Sequence, residues 1–187
     1  MPSELPIRVA VPVNLRPYFG SITTKNFFAM VSGEFHPTND SYTFEEVLQI
    51  IRESLRSQVN KENLEKLFSY NVSNQKLLAA RAVPLQFKNL AMKYVYTASA
   101  LANTTTITNI GNISVEEAYR PYIEMILAYI PMSKGQNIKG TICSYGETLA
   151  FSFSYILKDV SIQRCFFRKL AADGLTVEID TNGVNYE

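Results

Sequence analysis

The sequence Thr104-Thr105-Thr106-Ile107-Thr108-Asn109-Ile110-Gly111 decides how the rest of the chain is interpreted. It is rich in β-branched residues, which favour a strand, and it ends in Asn-x-Gly, which is typical of a turn. We therefore predict a buried strand that stops at Gly111. Because each buried hydroxyl needs a hydrogen-bond partner, four threonines favour a strand that lines a polar channel. The alternative is an ordinary edge strand with one polar face.

Two strands are predicted upstream of this segment. Apolar residues recur at every second position from Ile7 to Leu15 and again from Phe27 to Phe35, which is the period of a strand. The second strand ends at His36-Pro37, because proline disfavours continued pairing. A turn is expected over residues 37–40.

Helices are predicted between these strands and the threonine-rich strand. Thr43-Phe44-Glu45-Glu46 has the form of a capping box, and the helix that it starts continues in two pieces as far as Phe68. A further helix is expected to begin near Pro84. Its apolar stripe consists of Phe87, Leu90, Ala91, Tyr94, Val95 and Ala98.

Strands dominate the second half of the sequence. Residues 123–130 are apolar throughout, as in a central strand, and further strands are expected over 138–143, 149–155 and 175–179. A helix from Asp159 or Ser161 should end at Gly174 in a left-handed cap. Its stripe is Ile162, Cys165, Phe166 and Leu170, and we expect Phe151, Phe153, Tyr155, Phe166 and Phe167 to pack together as core. The order predicts an α+β fold, a mixed β-sheet packed against helices, in a single domain over residues 1–187.

Composition limits the possible partners. The net charge of the 187 residues is +1, and no run of Lys and Arg is interleaved with aromatic residues, so no nucleic-acid partner is predicted. The apolar runs are too short to span a membrane, and the strand pattern begins almost at once, so we expect a cytoplasmic protein. Cys143 and Cys165 lack metal-site spacing and are interpreted as reduced core thiols, with no metal site.

Several enzyme classes are excluded by missing motifs. The sequence has no GxSxG, no phosphate-binding glycine loop and a single histidine, His36. The carboxylate pairs Glu45-Glu46 and Glu116-Glu117 start helical patterns, where they favour the helix dipole. Their predicted role is structural.

A resemblance to a known family rests on three segments in the same order. Residues 11–16, Val-Pro-Val-Asn-Leu-Arg, with the glycine loop, strand and helix that follow, resemble the start of the C-terminal half of the chloramphenicol-acetyltransferase-like superfamily. Residues 106–111 resemble the Ser/Thr-Asn-x-Gly strand end of its alcohol acetyltransferases. Residues 145–155 and the helix to Leu170 are similar to their closing hairpin and helix, so the resemblance covers nearly the whole chain.

The resemblance implies a function for half of an enzyme. In that superfamily two similar halves form a thioester channel and an acceptor channel, which meet at the general-base histidine of an HHxxxDG motif. This chain resembles the half without the motif. It would take acetyl-CoA or another acyl thioester as co-substrate, transfer the acyl group to a small alcohol or amine, bind no other cofactor and need the missing N-terminal half. Thr106, Thr108, Asn109 and Gly111 would line the channel, and Arg16 would be structural.

Residues 36–40 leave open a second hypothesis about catalysis. His36 and Asp40 have the HxxxD spacing of the catalytic motif, although Phe35 replaces its first histidine and Ser41 its glycine. They could be the catalytic residues of a stand-alone oligomeric acyltransferase, or His36 could be a surface histidine in a turn that Pro37 begins. A third hypothesis is a non-catalytic binding module of the same fold. An isolated half should also expose apolar surface, so we expect a homo-oligomer.

Overall fold

A computed structural model describes residues 5–37, 42–76, 84–133 and 135–182. The fold is α+β, with one five-stranded mixed sheet and helices, as the sequence predicts. The strands are β1 (Ile7–Asn14), β2 (Phe28–Phe35), β3 (Thr105–Asn112), β4 (Ile138–Tyr145) and β5 (Thr148–Tyr155). The helices are α1 (Arg16–Phe19), α2 (Phe44–Gln58), α3 (Lys61–Lys76), α4 (Leu85–Leu101) and α5 (Ser161–Ala172), with a 3-10 helix at Glu117–Tyr122.

The sheet order is β2-β1-β3-β4-β5. The threonine-rich strand β3 lies at the centre and runs parallel to both β1 and β4, while β2 and β5 pair antiparallel at the two ends. Parallel neighbours need a crossover, and α2, α3 and α4 all lie between β1 and β3 in the chain. The predicted edge-strand alternative for this segment is therefore wrong.

Helix α2 covers the outer edge of β2. The predicted capping box is present: the Thr43 hydroxyl accepts from the Glu46 amide, and the Glu46 carboxylate accepts from the Thr43 amide. Further along the helix, Gln58 donates to and accepts from the backbone of Ser32, at 2.7 and 3.2 Å. These bonds occupy backbone groups that an open strand edge would present to another chain.

The most deeply buried cluster lies where α3 meets β1 and β2. It consists of Leu15, Ala29, Val31 and Leu64, with half-buried apolar residues around it. Leu15 and Leu64 are fully buried, although one follows β1 and the other belongs to α3. This cluster joins the helices to the sheet.

A second apolar cluster joins α5 to β5. The Phe151 and Phe166 rings lie 4.3 Å apart, and Phe153 contacts Phe166 and Phe167 edge-on, as predicted for these four phenylalanines. Helix α5 does not bury its whole predicted stripe. Gln163 is buried, whereas Ile162 and Cys165 of the stripe are exposed. The prediction of two core thiols is thus right for Cys143 and wrong for Cys165.

Three other predictions need correction. Strand β3 does not stop at Gly111 but continues to Asn112 through an irregular register between Asn109 and Gly111. Residues 123–130 form no strand, because β3 and β4 pair directly with each other and leave no place between them. Residues 175–179 form no strand either, and Leu175 and Ile179 are exposed.

Two remaining predictions concern the turn after β2 and the absence of membrane-spanning helices. The turn expected over residues 37–40 lies outside the described residues except for Pro37. In the part of the chain that the structure describes, no helix combines the length and the apolar composition that crossing a bilayer requires.

Candidate functional site: a polar face of the sheet

The two faces of the sheet differ in chemistry across β3, β4 and β5. The register aligns two polar rows on one face. The first row is Thr106, Lys139 and Ser154, and the second is Thr108, Thr141 and Ser152. Directly paired residues place their side chains on the same side of a sheet, so these six side chains share one surface, which we call the polar face.

The polar face is covered in its middle and more open along β3. Thr141, Lys139 and Ser152 are 2%, 5% and 8% exposed. Thr106 and Thr108 are half-buried. Burying hydroxyl and ammonium groups is unfavourable unless they are bonded, so this face needs hydrogen-bond partners.

The connection from β3 to β4 supplies the cover. Lys139 Nζ donates to the Pro131 carbonyl at 2.8 Å and to Ser133 Oγ at 2.6 Å. Gln136, which is itself buried, donates from Nε2 to Thr106 Oγ1 at 3.2 Å. The Cys143 thiol lies 3.4 Å from the Ile126 carbonyl oxygen. The apolar segment that was predicted as a strand therefore runs over the polar face.

Lys139 gives this face a positive charge. Its two hydrogen-bond partners are neutral oxygens, and no ion pair joins it to a carboxylate among residues 5–37, 42–76, 84–133 and 135–182. An ammonium group has three N–H donors, so one remains after the bonds to Pro131 and Ser133. A cation of this kind favours an anionic group, or a carbonyl oxygen that develops negative charge, on the same face.

The structure brings together only some of the predicted channel residues. Thr106 and Thr108 lie side by side on the polar face. Asn109 is one residue out of phase and therefore lies on the opposite face, where its Oδ1 accepts from the Gly111 amide at 2.8 Å. Gly111 pairs with Cys143 and has a φ of 82°, a conformation that favours glycine. The Asn-x-Gly signal thus corresponds to a local bulge.

Arg16 holds the loop that follows β1. Its Nε donates to the Thr23 carbonyl at 2.7 Å, its Nη2 to the Lys25 carbonyl at 2.6 Å, and its Nη1 to Asn14 Oδ1 at 3.2 Å. Two of these three bonds go to backbone carbonyls of the loop before β2, which is the pattern of an arginine that orders backbone. This is the role that the family resemblance implies for it.

His36 lies at the β2 edge of the sheet, away from β4 and β5. It follows β2, its side chain is 65% exposed, and Nε2 lies 2.7 Å from Glu34 Oε1. The same carboxylate accepts two hydrogen bonds from Arg8, which are the largest cause of the lowered pKa of Glu34, and His36 acts more weakly in the same direction. Asp40, the other member of the predicted pair, lies outside the described residues.

Sequence reasoning missed five residues at this site: Gln136, Lys139, Thr141, Ser152 and Ser154. A signal was present, because polar residues recur at every second position in β4 and β5, as Lys139 and Thr141 and as Ser152 and Ser154. Only the register shows that they align with Thr106 and Thr108. Comparison with protein-family models, with curated proteins and with solved structures finds no match to this chain.

Proposed function

We propose that this chain is the C-terminal half of an acyltransferase and that its polar face is a wall of the channel for the acyl thioester. The observation that carries this proposal is the alignment of Thr106 and Thr108 with Lys139, Thr141 and Ser152 on one face of the central strands. Acyl transfer needs donors that stabilise charge on the thioester carbonyl oxygen. Hydroxyl groups and an ammonium group have this property.

The position of the Lys139 ammonium group also supports the proposed channel wall. Lys139 pairs in register with Thr106, so its ammonium group is on the side of the sheet where the hydroxyls lie. Acetyl-CoA carries phosphate groups, and its thioester carbonyl oxygen gains negative charge during acyl transfer. Both are favoured near a cation whose neighbours are neutral oxygens.

In this proposal the general base comes from the missing N-terminal half, in its HHxxxDG motif. His36 follows β2, and β1 and β3 lie between β2 and β4. Neighbouring strands are about 4.8 Å apart, so β2 is roughly 10 Å from β3, where the polar face begins, and roughly 14 Å from β4. A base must be within hydrogen-bond reach of the proton that it removes. Because His36 is farther than that from the polar face, we assign it a structural role.

The proposal predicts that acetyl-CoA binds weakly to the isolated chain through the threonine hydroxyls. Thr106→Val and Thr108→Val should each weaken binding by about fivefold, the effect of losing one hydrogen bond. Thr148→Val is a matched control, since Thr148 is exposed at the start of β5. Affinity is measured by ligand-detected NMR titration. Equal affinity in all three variants and the parent chain would contradict the proposed wall.

Turnover separates the half-enzyme from the stand-alone enzyme. Incubation of the chain with acetyl-CoA and a panel of alcohols should release no free thiol above the uncatalysed rate, because the base is absent. Robust turnover that is lost in His36→Ala would instead support the stand-alone enzyme and refute the proposed division of roles.

A second candidate function is a non-catalytic interaction module of the same fold. The exposed apolar surface described below favours it, because such surfaces mark interaction sites in proteins of this size. Absence of acetyl-CoA binding together with stable association would support this alternative.

A further inference from the structure

Helix α4 is apolar and largely uncovered. Its first eleven residues include six large apolar side chains that are between 57% and 77% exposed: Leu85, Phe87, Leu90, Met92, Tyr94 and Val95. An apolar surface of this kind on a helix normally contacts another element. Within the described part of this chain, no neighbouring element covers these residues.

A second uncovered apolar surface lies in the connection from β3 to β4. We call residues 116–130 the tyrosine segment. Five of its large side chains are between 42% and 86% exposed: Tyr119, Tyr122, Met125, Leu127 and Tyr129. Tyrosine and methionine are enriched in protein interfaces, where they combine contact area with adaptable packing. The segment is fixed to the sheet by the Ile126 carbonyl, so its outer side is presented on a supported backbone.

The charges of these two surfaces are opposite. The only charged residues in the sequence of α4 are Lys88 and Lys93. The tyrosine segment contains Glu116, Glu117 and Glu124 against a single Arg120. Complementary charges around apolar contacts select a partner and orient it. Because both surfaces occur in every copy of the chain, a second copy supplies the match.

We propose that α4 of one copy of the chain docks on the tyrosine segment of the next copy. The contact joins two different surfaces, so repeated association closes into a ring or extends as a chain of subunits. This assembly is independent of the proposed acyltransferase function, since it requires neither substrate nor the missing half. Its failure and the failure of acetyl-CoA binding are measured separately.

A charge-swap experiment tests this contact. In sedimentation velocity, the parent chain should form species larger than 21.1 kDa as its concentration rises. Lys88→Glu/Lys93→Glu and Glu117→Lys/Glu124→Lys should each weaken association by about 30-fold, because attraction becomes repulsion. An equimolar mixture of the two variants should associate again, since each reversed surface now meets its opposite.

A control variant and a folding check show whether the loss of association is specific to the two proposed surfaces. Arg52→Glu/Arg56→Glu makes a similar charge change on α2, which belongs to neither surface, and should associate like the parent chain. Far-UV circular dichroism checks that every variant is folded, and recovery of association in the mixture requires folded variants. A strictly monomeric parent chain would overturn the proposal, as would unchanged association in both reversed variants or a mixture that remains monomeric.

Discussion

Replacing Leu64 with alanine is expected to lower the free energy of unfolding by about 3 kcal/mol. Leu64 is fully buried between α3 and the sheet, in the cluster with Leu15, Ala29 and Val31. The substitution removes apolar contacts and leaves a cavity that the neighbouring strands can close only in part. The loss is severe for this chain, since typical domains have only about 5–15 kcal/mol of stability.

Urea denaturation followed by circular dichroism measures this effect. Leu48→Ala is the matched control, because Leu48 is also a helical leucine but is 55% exposed. It should change the free energy of unfolding by no more than about 0.5 kcal/mol. Equal effects at the two positions would show that α3 does not pack on β1 and β2 as described.

Gly140→Val is expected to destabilise the fold by about 2–3 kcal/mol. A Cβ atom at Gly140 would lie 3.0 Å from the Phe151 ring and 3.4 Å from the Ile107 side chain. Phe151 cannot move freely, because its ring contacts Phe153 and Phe166. The added methyl groups therefore force the aromatic cluster away from β4.

A second substitution tests whether the contact with Phe151 causes the destabilisation by Gly140→Val. Phe151→Leu removes ring atoms from the space that the valine needs, so the double variant should be more stable than the sum of the two single effects by about 1 kcal/mol. Thermal unfolding of the four proteins measures this coupling. Strict additivity would mean that the cost of Gly140→Val arises elsewhere.

Local patterns predicted most of the secondary structure of this chain. The capping box at Thr43 and the period of two in β1, β2, β4 and β5 give the elements that the structure contains. The predictions for residues 123–130 and 175–179 were wrong, because an apolar pattern shows which residues a strand could bury without showing whether the segment pairs with another strand. Strand formation needs a free neighbouring edge, which depends on topology.

The site was less predictable than the fold. The threonines of β3 suggested a polar surface, and the structure places Thr106 and Thr108 on one face. Their partners Lys139 and Thr141 belong to β4, more than thirty residues away, so only the strand register brings them together. Asn109 was grouped with the threonines because the family resemblance places the Ser/Thr-Asn-x-Gly strand end in the channel, although strand alternation places Asn109 on the opposite face.

The most direct test of the central proposal is a map of acetyl-CoA binding at residue level. In amide NMR spectra of the labelled chain, titration with acetyl-CoA should shift the signals of Thr106, Thr108, Lys139 and Thr141, while those around His36 stay unchanged. Signal shifts confined to residues around His36, at the β2 edge of the sheet, would contradict the assignment of the polar face as a thioester channel wall. The absence of any shift on the polar face at saturating acetyl-CoA would contradict it as well.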